Sequence, residues 1–114
     1  MQIKDDDYCI TYDPHTAIVR FDGSLSLRDM DKYASITRML DRVLAANHSQ
    51  ITLDIRSLRF LNSAGVNMLF QFVIKMQEQT RSDLILRGSK KVLWQEKSLK
   101  NMLRLKPEAR LIME

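Results

Sequence analysis

The 114-residue chain is long enough to bury one core and too short for a second. Its composition, 45% hydrophobic and 28% charged with only three Gly and two Pro, is that of a folded domain and excludes a disordered chain. The formal net charge of +4 permits weak contact with nucleic acid or acidic membrane but requires neither.

Several site classes find no support in the sequence. No apolar segment approaches the roughly 18 residues that span a bilayer, and the start resembles no signal peptide, so we expect a cytoplasmic protein without membrane insertion. Cys9 has no partner for an internal disulfide, and with His15 and His48 it forms no metal-ligand pattern. The acids at 5–7 lack the spacing of a calcium loop and are interpreted as a solvated tail. We expect no metal and no cofactor.

The charges are distributed unevenly along the chain. Acids dominate the start and bases the end, which predicts a bipolar surface suited to orienting a protein partner. The residues concerned are Asp5, Asp6, Asp7, Asp13, Asp22, Asp29 and Asp31 at the start, and Lys90, Lys91, Lys97, Lys100, Arg104, Lys106 and Arg110 at the end.

The first elements read as a hairpin followed by a helix. Residues 8–12 and 17–21 are β-branched and aromatic runs on either side of a turn signal. Ser26 and Asp29 match a capping box that would start a helix running to about Ala46, with Asn47 as its C-terminal cap. Its predicted apolar face consists of Met30, Tyr33, Ile36, Leu40, Val43 and Leu44.

The second half alternates strands and helices. Residues 51–55 predict a central strand, 56–61 a connection, 63–79 a helix, and 83–87 a strand closed by Gly88. Ser89 could cap a third helix reaching about Leu103, Pro107 prevents its continuation, and 109–113 form a short last strand.

The predicted order is therefore β-β-α-β-α-β-α-β. It indicates an α/β fold over residues 1–114, with a mixed, mostly parallel sheet and an antiparallel first hairpin. No repeat or linker divides the chain into more than one domain.

The junction between the central strand and the second helix is the most informative stretch. Asn62 and Ser63 are both good N-cap residues, since a short side-chain oxygen can accept from the free N–H groups of the first turn. Gly65 lies inside that turn, where Gly costs about 0.5 to 1 kcal/mol relative to Ala, so we expect a close backbone approach there.

Helical spacing defines two sides of this second helix. Val66, Leu69, Phe70, Val73 and Ile74 form one apolar face that should pack on the sheet. Met68 lies nearly opposite and Phe72 on the flank. Either both touch a neighbouring element, or they form an exposed apolar strip that suits protein docking.

The stretch ITLDIRSLRFLNSAGVNMLFQFV resembles the core motif of STAS domains, the small α/β modules of anti-sigma factor antagonists and sulfate-transporter tails. In that family a strand with an acidic residue, here Asp54, leads through an apolar loop to Asp-Ser-Ser/Thr-Gly-Leu at a helix start. The resemblance in sequence covers about residues 51 to 74, and the predicted element order resembles the family over nearly the whole chain.

The resemblance implies regulation by phosphorylation, but this chain departs from the motif. In phosphoregulated members a GHKL-type kinase modifies the Ser or Thr immediately before the Gly, and the phosphate blocks docking. Ala64 stands at that position and has no hydroxyl, while Asn62 replaces the usual Asp. Either Ser63 is a displaced acceptor, or it is only a cap and the protein docks without covalent control.

The resemblance thus predicts a non-catalytic partner-switching regulator, similar to an anti-sigma factor antagonist, that binds a GHKL-type anti-sigma factor or switch kinase. One alternative is an accessory subunit that braces the ATPase of an ABC transporter. Binding of nucleic acid through the basic end is a distant third, and no catalytic constellation is recognisable. The expected contact residues are Asn62, Ser63, Ala64, Gly65, Met68 and Phe72.

Overall fold

The computed structural model describes all 114 residues. Six strands form one sheet in sequential order: Gln2–Lys4 (β1), Tyr8–Asp13 (β2), Ile18–Leu25 (β3), Gln50–Leu61 (β4), Asp83–Gly88 (β5) and Arg110–Met113 (β6). Three helices connect the last four strands: Met30–Ala45 (α1), Ser63–Gln79 (α2) and Leu93–Leu105 (α3).

The sheet is mixed, as predicted. β1, β2 and β3 pair antiparallel, and β3 to β6 pair parallel. The predicted α/β class and the element order are confirmed, with one addition: β1 pairs its three residues with β2, so the chain before the acids at 5–7 is a strand. A three-residue strand with one apolar side chain is too short to show the two-residue alternation typical of strands.

All three helices lie on one face of the sheet. Each parallel crossover moves to the next strand in the same direction, and because such crossovers are right-handed they place every helix on the same side. α2 lies in the middle of this layer and contacts both α1 and α3. The core between the layers includes the fully buried Ile10, Val19, Phe21, Ile36, Val43, Ile51, Leu53, Leu69, Val73, Leu86, Leu99 and Met102.

The central strand β4 is longer than predicted. Residues 56–61 were expected to be a connection, but they continue the strand and pair with β3 beyond the end of β5. Two register shifts, between Arg20 and Asp22 and between Gly23 and Ser24, interrupt the ladder here. A bulge breaks the two-residue alternation of side chains, which explains why the sequence pattern did not reveal a strand.

The helix starts required two corrections. The N-cap of α1 is Asp29, whose carboxylate accepts from the N–H of Asp31 at 2.8 Å, so the capping box at Ser26 does not form. α3 begins at Leu93 after Val92, without a side-chain cap, so Ser89 is not its N-cap. The C-cap of α1 is Ala46, and Asn47, which was expected to be the cap, follows it as a left-handed residue with a φ of +56°.

Candidate functional site

Asn62 fixes the start of α2 through both atoms of its amide. Its Oδ1 accepts from the N–H of Gly65 at 3.0 Å, which is a helix cap, while its Nδ2 donates to the carbonyl oxygen of Leu27 at 3.1 Å. Its backbone N–H also donates to Leu25 at 3.2 Å. One side chain therefore caps α2 and joins it to the segment between β3 and α1.

Ser63 is the first residue of α2 and is exposed, with no side-chain hydrogen bond. Its hydroxyl is free at a helix N-terminus, where unpaired N–H groups and the helix dipole favour negative charge. Ala64 is half-buried and packs against the core. Of the two N-cap candidates, Asn62 is the cap and Ser63 is left accessible.

The predicted close approach at Gly65 exists, and the approaching group belongs to this chain. Gly65 is buried, and a Cβ there would lie 2.2 Å from Cδ1 and 3.0 Å from Cγ of Leu61. Leu61 turns inward at the end of β4 and packs against the core. Gly65 therefore makes room for Leu61, so its presence alone is no sign of an external partner.

The structure also decides between the two readings of Met68 and Phe72. Each side chain is only 2% exposed, and both line a groove of about 220 Å³ beside Tyr33 and Leu40 of α1. Of the two alternatives, contact with a neighbouring element is therefore correct, and the exposed apolar strip does not exist. Because α2 lies between two helices, its buried face is wider than the sheet alone would make it, and these two side chains pack against α1.

The first residues of the three helices share one edge of the molecule, since each helix follows a parallel strand and starts at that strand's carboxyl end. We call this the helix-start edge. Three of the four exposed large apolar side chains lie there: Met30 at 77%, Phe60 at 50% and Leu93 at 93% exposure. Met30 was expected in the core, but as the first residue of α1 it lies beyond the sheet.

Two side chains of α3 hold the long end of β4 in place. The buried Gln95 donates from Nε2 to the carbonyl oxygens of Ile55 at 2.6 Å and Leu58 at 2.8 Å, and its Oε1 accepts from the N–H of Ser89 at 2.7 Å. Trp94 Nε1 donates to Arg59 at 2.9 Å. Gln95 is polar and carries no periodic signal, so the sequence did not single it out.

On the helix-free face of the sheet, Asp54 belongs to an ion-pair network. It is 4% exposed and accepts from the Arg56 guanidinium at 2.8 and 3.0 Å and from the Arg56 N–H at 3.1 Å. Arg56 and Arg87 both donate to the Glu114 carboxylate. The network links β4 and β5 to the residue that follows β6.

The ionisation of these groups follows from their contacts. Burial by itself would raise the pKa of Asp54, but the hydrogen bonds and charge of Arg56, with the charge of Arg87, hold that pKa below its ordinary value. Hydrogen bonds from Arg87 and then Arg56 lower the pKa of Glu114, and the Asp54 and Glu114 carboxylates raise that of Arg56. All three groups are charged at neutral pH, and the network acts structurally.

No group of three His, Cys, Asp or Glu side chains is placed to hold a metal ion, and Cys9 is a free thiol on β2. The helices are too short or too polar to cross a bilayer. What the helix-start edge offers is a surface with a free hydroxyl and exposed apolar side chains, which suits contact with another protein.

No family model matches the chain, and no curated protein matches it. Among solved structures, the chain is similar to one in a crystal structure of the diguanylate cyclase SiaD in complex with its activator SiaC from Pseudomonas aeruginosa. The TM-score is 0.75 at 12% identity, covering 99% of this chain and 97% of that one.

Two further structures of SiaC from Pseudomonas aeruginosa match as well. Apo-SiaC gives a TM-score of 0.68 at 13% identity, covering 100% of this chain and 97% of that one. The other gives 0.70 at 14% identity, with 100% and 96% covered. At this identity the matches establish a shared fold over the whole chain.

Proposed function

We propose that this chain is a non-catalytic regulatory protein that binds a protein partner through the start of α2 and switches between bound and free states. The observation that carries the proposal is the exposed Ser63, which lies at a helix N-terminus on the helix-start edge, three residues after the exposed Phe60. A regulatory role is further supported by the shared fold with SiaC, which is described as the activator of a diguanylate cyclase.

The contact surface in this proposal is narrower than the sequence suggested. Ser63 and Ala64 present atoms to solvent, whereas Gly65, Met68 and Phe72 are buried and would support the surface from beneath. Asn62 is half-buried and committed to three hydrogen bonds. A partner would therefore meet the first turn of α2 at Ser63 and Ala64, and the four other expected residues would act mainly by holding that turn in place.

Ser63 is the acceptor that we propose for a switching phosphate. A phosphoryl group there would face the free N–H groups of the first turn, which tolerate its charge, while adding about 1.5 to 2 negative charges to the surface at the start of α2. The fold would persist and the docking surface would change. The proposed partner class is a GHKL-type switch kinase or anti-sigma factor.

The test is to isolate the tagged protein from its native cells and identify by mass spectrometry both the co-purifying protein and any phosphate on Ser63. The same isolation is repeated with Ser63→Glu, and with Gln79→Glu as a control that adds the same charge at the other end of α2. We expect Ser63→Glu to lose the partner and Gln79→Glu to retain it.

Equal recovery with both variants would refute docking at the start of α2. Recovery of an ABC ATPase with unmodified Ser63 would instead favour the accessory-subunit function, which is consistent with the missing hydroxyl at Ala64.

A further inference from the structure

The start of α3 carries an apolar side chain that the fold does not use. Leu93 is 93% exposed, the highest value among the exposed large apolar residues. A single exposed leucine is ordinary on a protein surface. This one, however, stands on the same edge as Ser63 and is flanked along the chain by exposed basic residues.

The backbone beneath Leu93 is held firmly. The two residues that follow it are Trp94 and Gln95, which hydrogen-bond to Arg59 and to the carbonyls of Ile55 and Leu58 on β4. The exposed Phe60 comes directly after Arg59, so the hydrogen bond from the Trp94 indole to the Arg59 carbonyl oxygen links the residue after Leu93 to the residue before Phe60. A partner would not have to order this segment, which lowers the entropic cost of binding.

The charges around Leu93 are basic and unpaired. Lys90 and Lys91 precede it in the loop after β5, and Lys97 lies one helical turn after it. All three are exposed, and none belongs to any of the eight ion pairs of the molecule. The nearby Glu96 faces Lys100 at 3.9 Å. The apolar side chain therefore has a positive rim that is not neutralised within the chain.

We propose that the start of α3 is a second part of the docking surface and takes an acidic, apolar segment of the partner protein. Leu93 would be covered by apolar side chains, and Lys90, Lys91 and Lys97 would pair with carboxylates around them. This inference rests on the proposed function and names the chemistry of the partner. A charge-only role, such as holding a nucleic-acid backbone, would leave Leu93 unexplained, since phosphate contacts do not use an aliphatic side chain.

The test uses two fluorescein-labelled peptides of about four helical turns, with leucines at three- and four-residue spacing. Their other positions are Glu and Ala in one peptide and Lys and Ala in the other. A single-stranded oligonucleotide is a third probe. Binding to the full chain is followed by fluorescence anisotropy at low and at physiological salt.

We expect the acidic peptide to bind at least about tenfold more tightly than the basic one. Leu93→Glu and Lys90→Glu/Lys91→Glu should each weaken that binding by about tenfold or more. Arg104→Glu is the matched control, because it reverses an exposed, unpaired charge at the other end of α3 and should leave the affinity unchanged. Unaltered thermal melting would show that the variants stay folded.

Three results would overturn the inference: no binding of the acidic peptide, equal binding of both peptides, or equal loss with Arg104→Glu. Oligonucleotide binding that is stronger than peptide binding and insensitive to Leu93→Glu would also overturn it, in favour of attraction to phosphate. None of these results bears on Ser63, whose role is decided by co-purification of the native partner. Failure here with a Ser63-dependent partner would leave the proposed function standing.

Discussion

At the scale of single residues, Asn62 shows why an amide and a carboxylate are not equivalent at this helix start. Both cap a helix equally well. Only the amide can also donate to Leu27, whose carbonyl oxygen lies 3.1 Å from Nδ2. An aspartate would place a negative oxygen against that carbonyl.

We therefore expect Asn62→Asp to lower the free energy of unfolding by about 1 kcal/mol at pH 7, because the lost hydrogen bond outweighs the favourable charge at the helix start. Urea denaturation measures the change. Ser63→Asp is the control, since it adds the same charge one residue later without removing a hydrogen bond, and should be neutral or slightly stabilising. An Asn62→Asp protein as stable as the wild type would contradict the dual role of the amide.

Gly65 provides a second prediction at this scale. Alanine would gain helix propensity, but its Cβ would meet Leu61 at 2.2 Å. We expect Gly65→Ala to destabilise the fold by about 1 to 2 kcal/mol, the cost of overpacking less the gain in propensity. Leu61→Ala costs stability by itself, but it opens the space that the new methyl group needs.

Chemical denaturation of both single variants and the double variant separates these terms. The double variant should lose less than the sum of the two single losses, because the clash is absent from it. Strict additivity would show that Leu61 is not what requires a glycine at position 65.

At the scale of elements, Gln95 determines how α3 meets the bulged strand β4. Its buried amide satisfies the carbonyl oxygens of Ile55 and Leu58 and the N–H of Ser89. We expect Gln95→Leu to destabilise the protein by about 3 kcal/mol or more, because it removes the side-chain partner of two buried carbonyl oxygens and of one partly buried N–H.

Lys97→Gln, at an exposed position on the same helix, should remain within about 0.5 kcal/mol of the wild type. Thermal and urea unfolding of both variants give the comparison. If Gln95→Leu matched Lys97→Gln, the amide would not be what holds the two elements together.

The contact between α1 and α2 gives the next prediction. Phe72 is 2% exposed and shares its groove with Tyr33 and Leu40 of α1. Phe72→Ala should therefore cost about 3 to 5 kcal/mol of stability, as for other large buried aromatic side chains.

Gln71→Ala, at the exposed neighbouring position, should cost little. Calorimetric melting distinguishes the two variants. A Phe72→Ala protein that melts like the wild type would restore the exposed apolar strip and place Phe72 in the docking surface after all.

At the scale of the whole molecule, the ion-pair network on the helix-free face of the sheet makes the free energy of unfolding depend on pH. Arg56 holds the folded pKa of Asp54 below its ordinary 3.8. A carboxyl with a depressed folded pKa contributes stability above its unfolded pKa and loses it as the pH falls through the folded value.

Asp54→Asn should therefore be less stable than the wild type at neutral pH, by about 1 to 3 kcal/mol. The difference between the two proteins should shrink below about pH 4, where the Asp54 carboxyl of the unfolded wild-type chain binds a proton that the folded carboxyl, with its lower pKa, still excludes. Urea unfolding at several pH values measures it. A difference that stays constant down to the lowest pH at which the wild type folds would mean that Asp54 contributes by packing alone.

The sequence determined much of this architecture because the information is local. The period of the apolar residues gives α2 its bounds at Ser63–Gln79, and the alternation of strands and helices gives the parallel pairing of β3 to β6. Capping chemistry also marked Asn62 and Ser63 as the start of α2. These features depend on residues within a few positions of one another.

Features that depend on contacts between residues far apart in the chain could be seen only in the tertiary structure. Met68 and Phe72 are buried because α1 packs beside α2, Gly65 is required by the inward turn of Leu61, and the bulges of β4 are stabilised by Gln95, which lies 37 residues beyond Leu58. Likewise, right-handed crossovers bring Met30, Ser63 and Leu93 to one edge. Local periodicity cannot show which faces meet, because burial and surface are properties of the assembled layers.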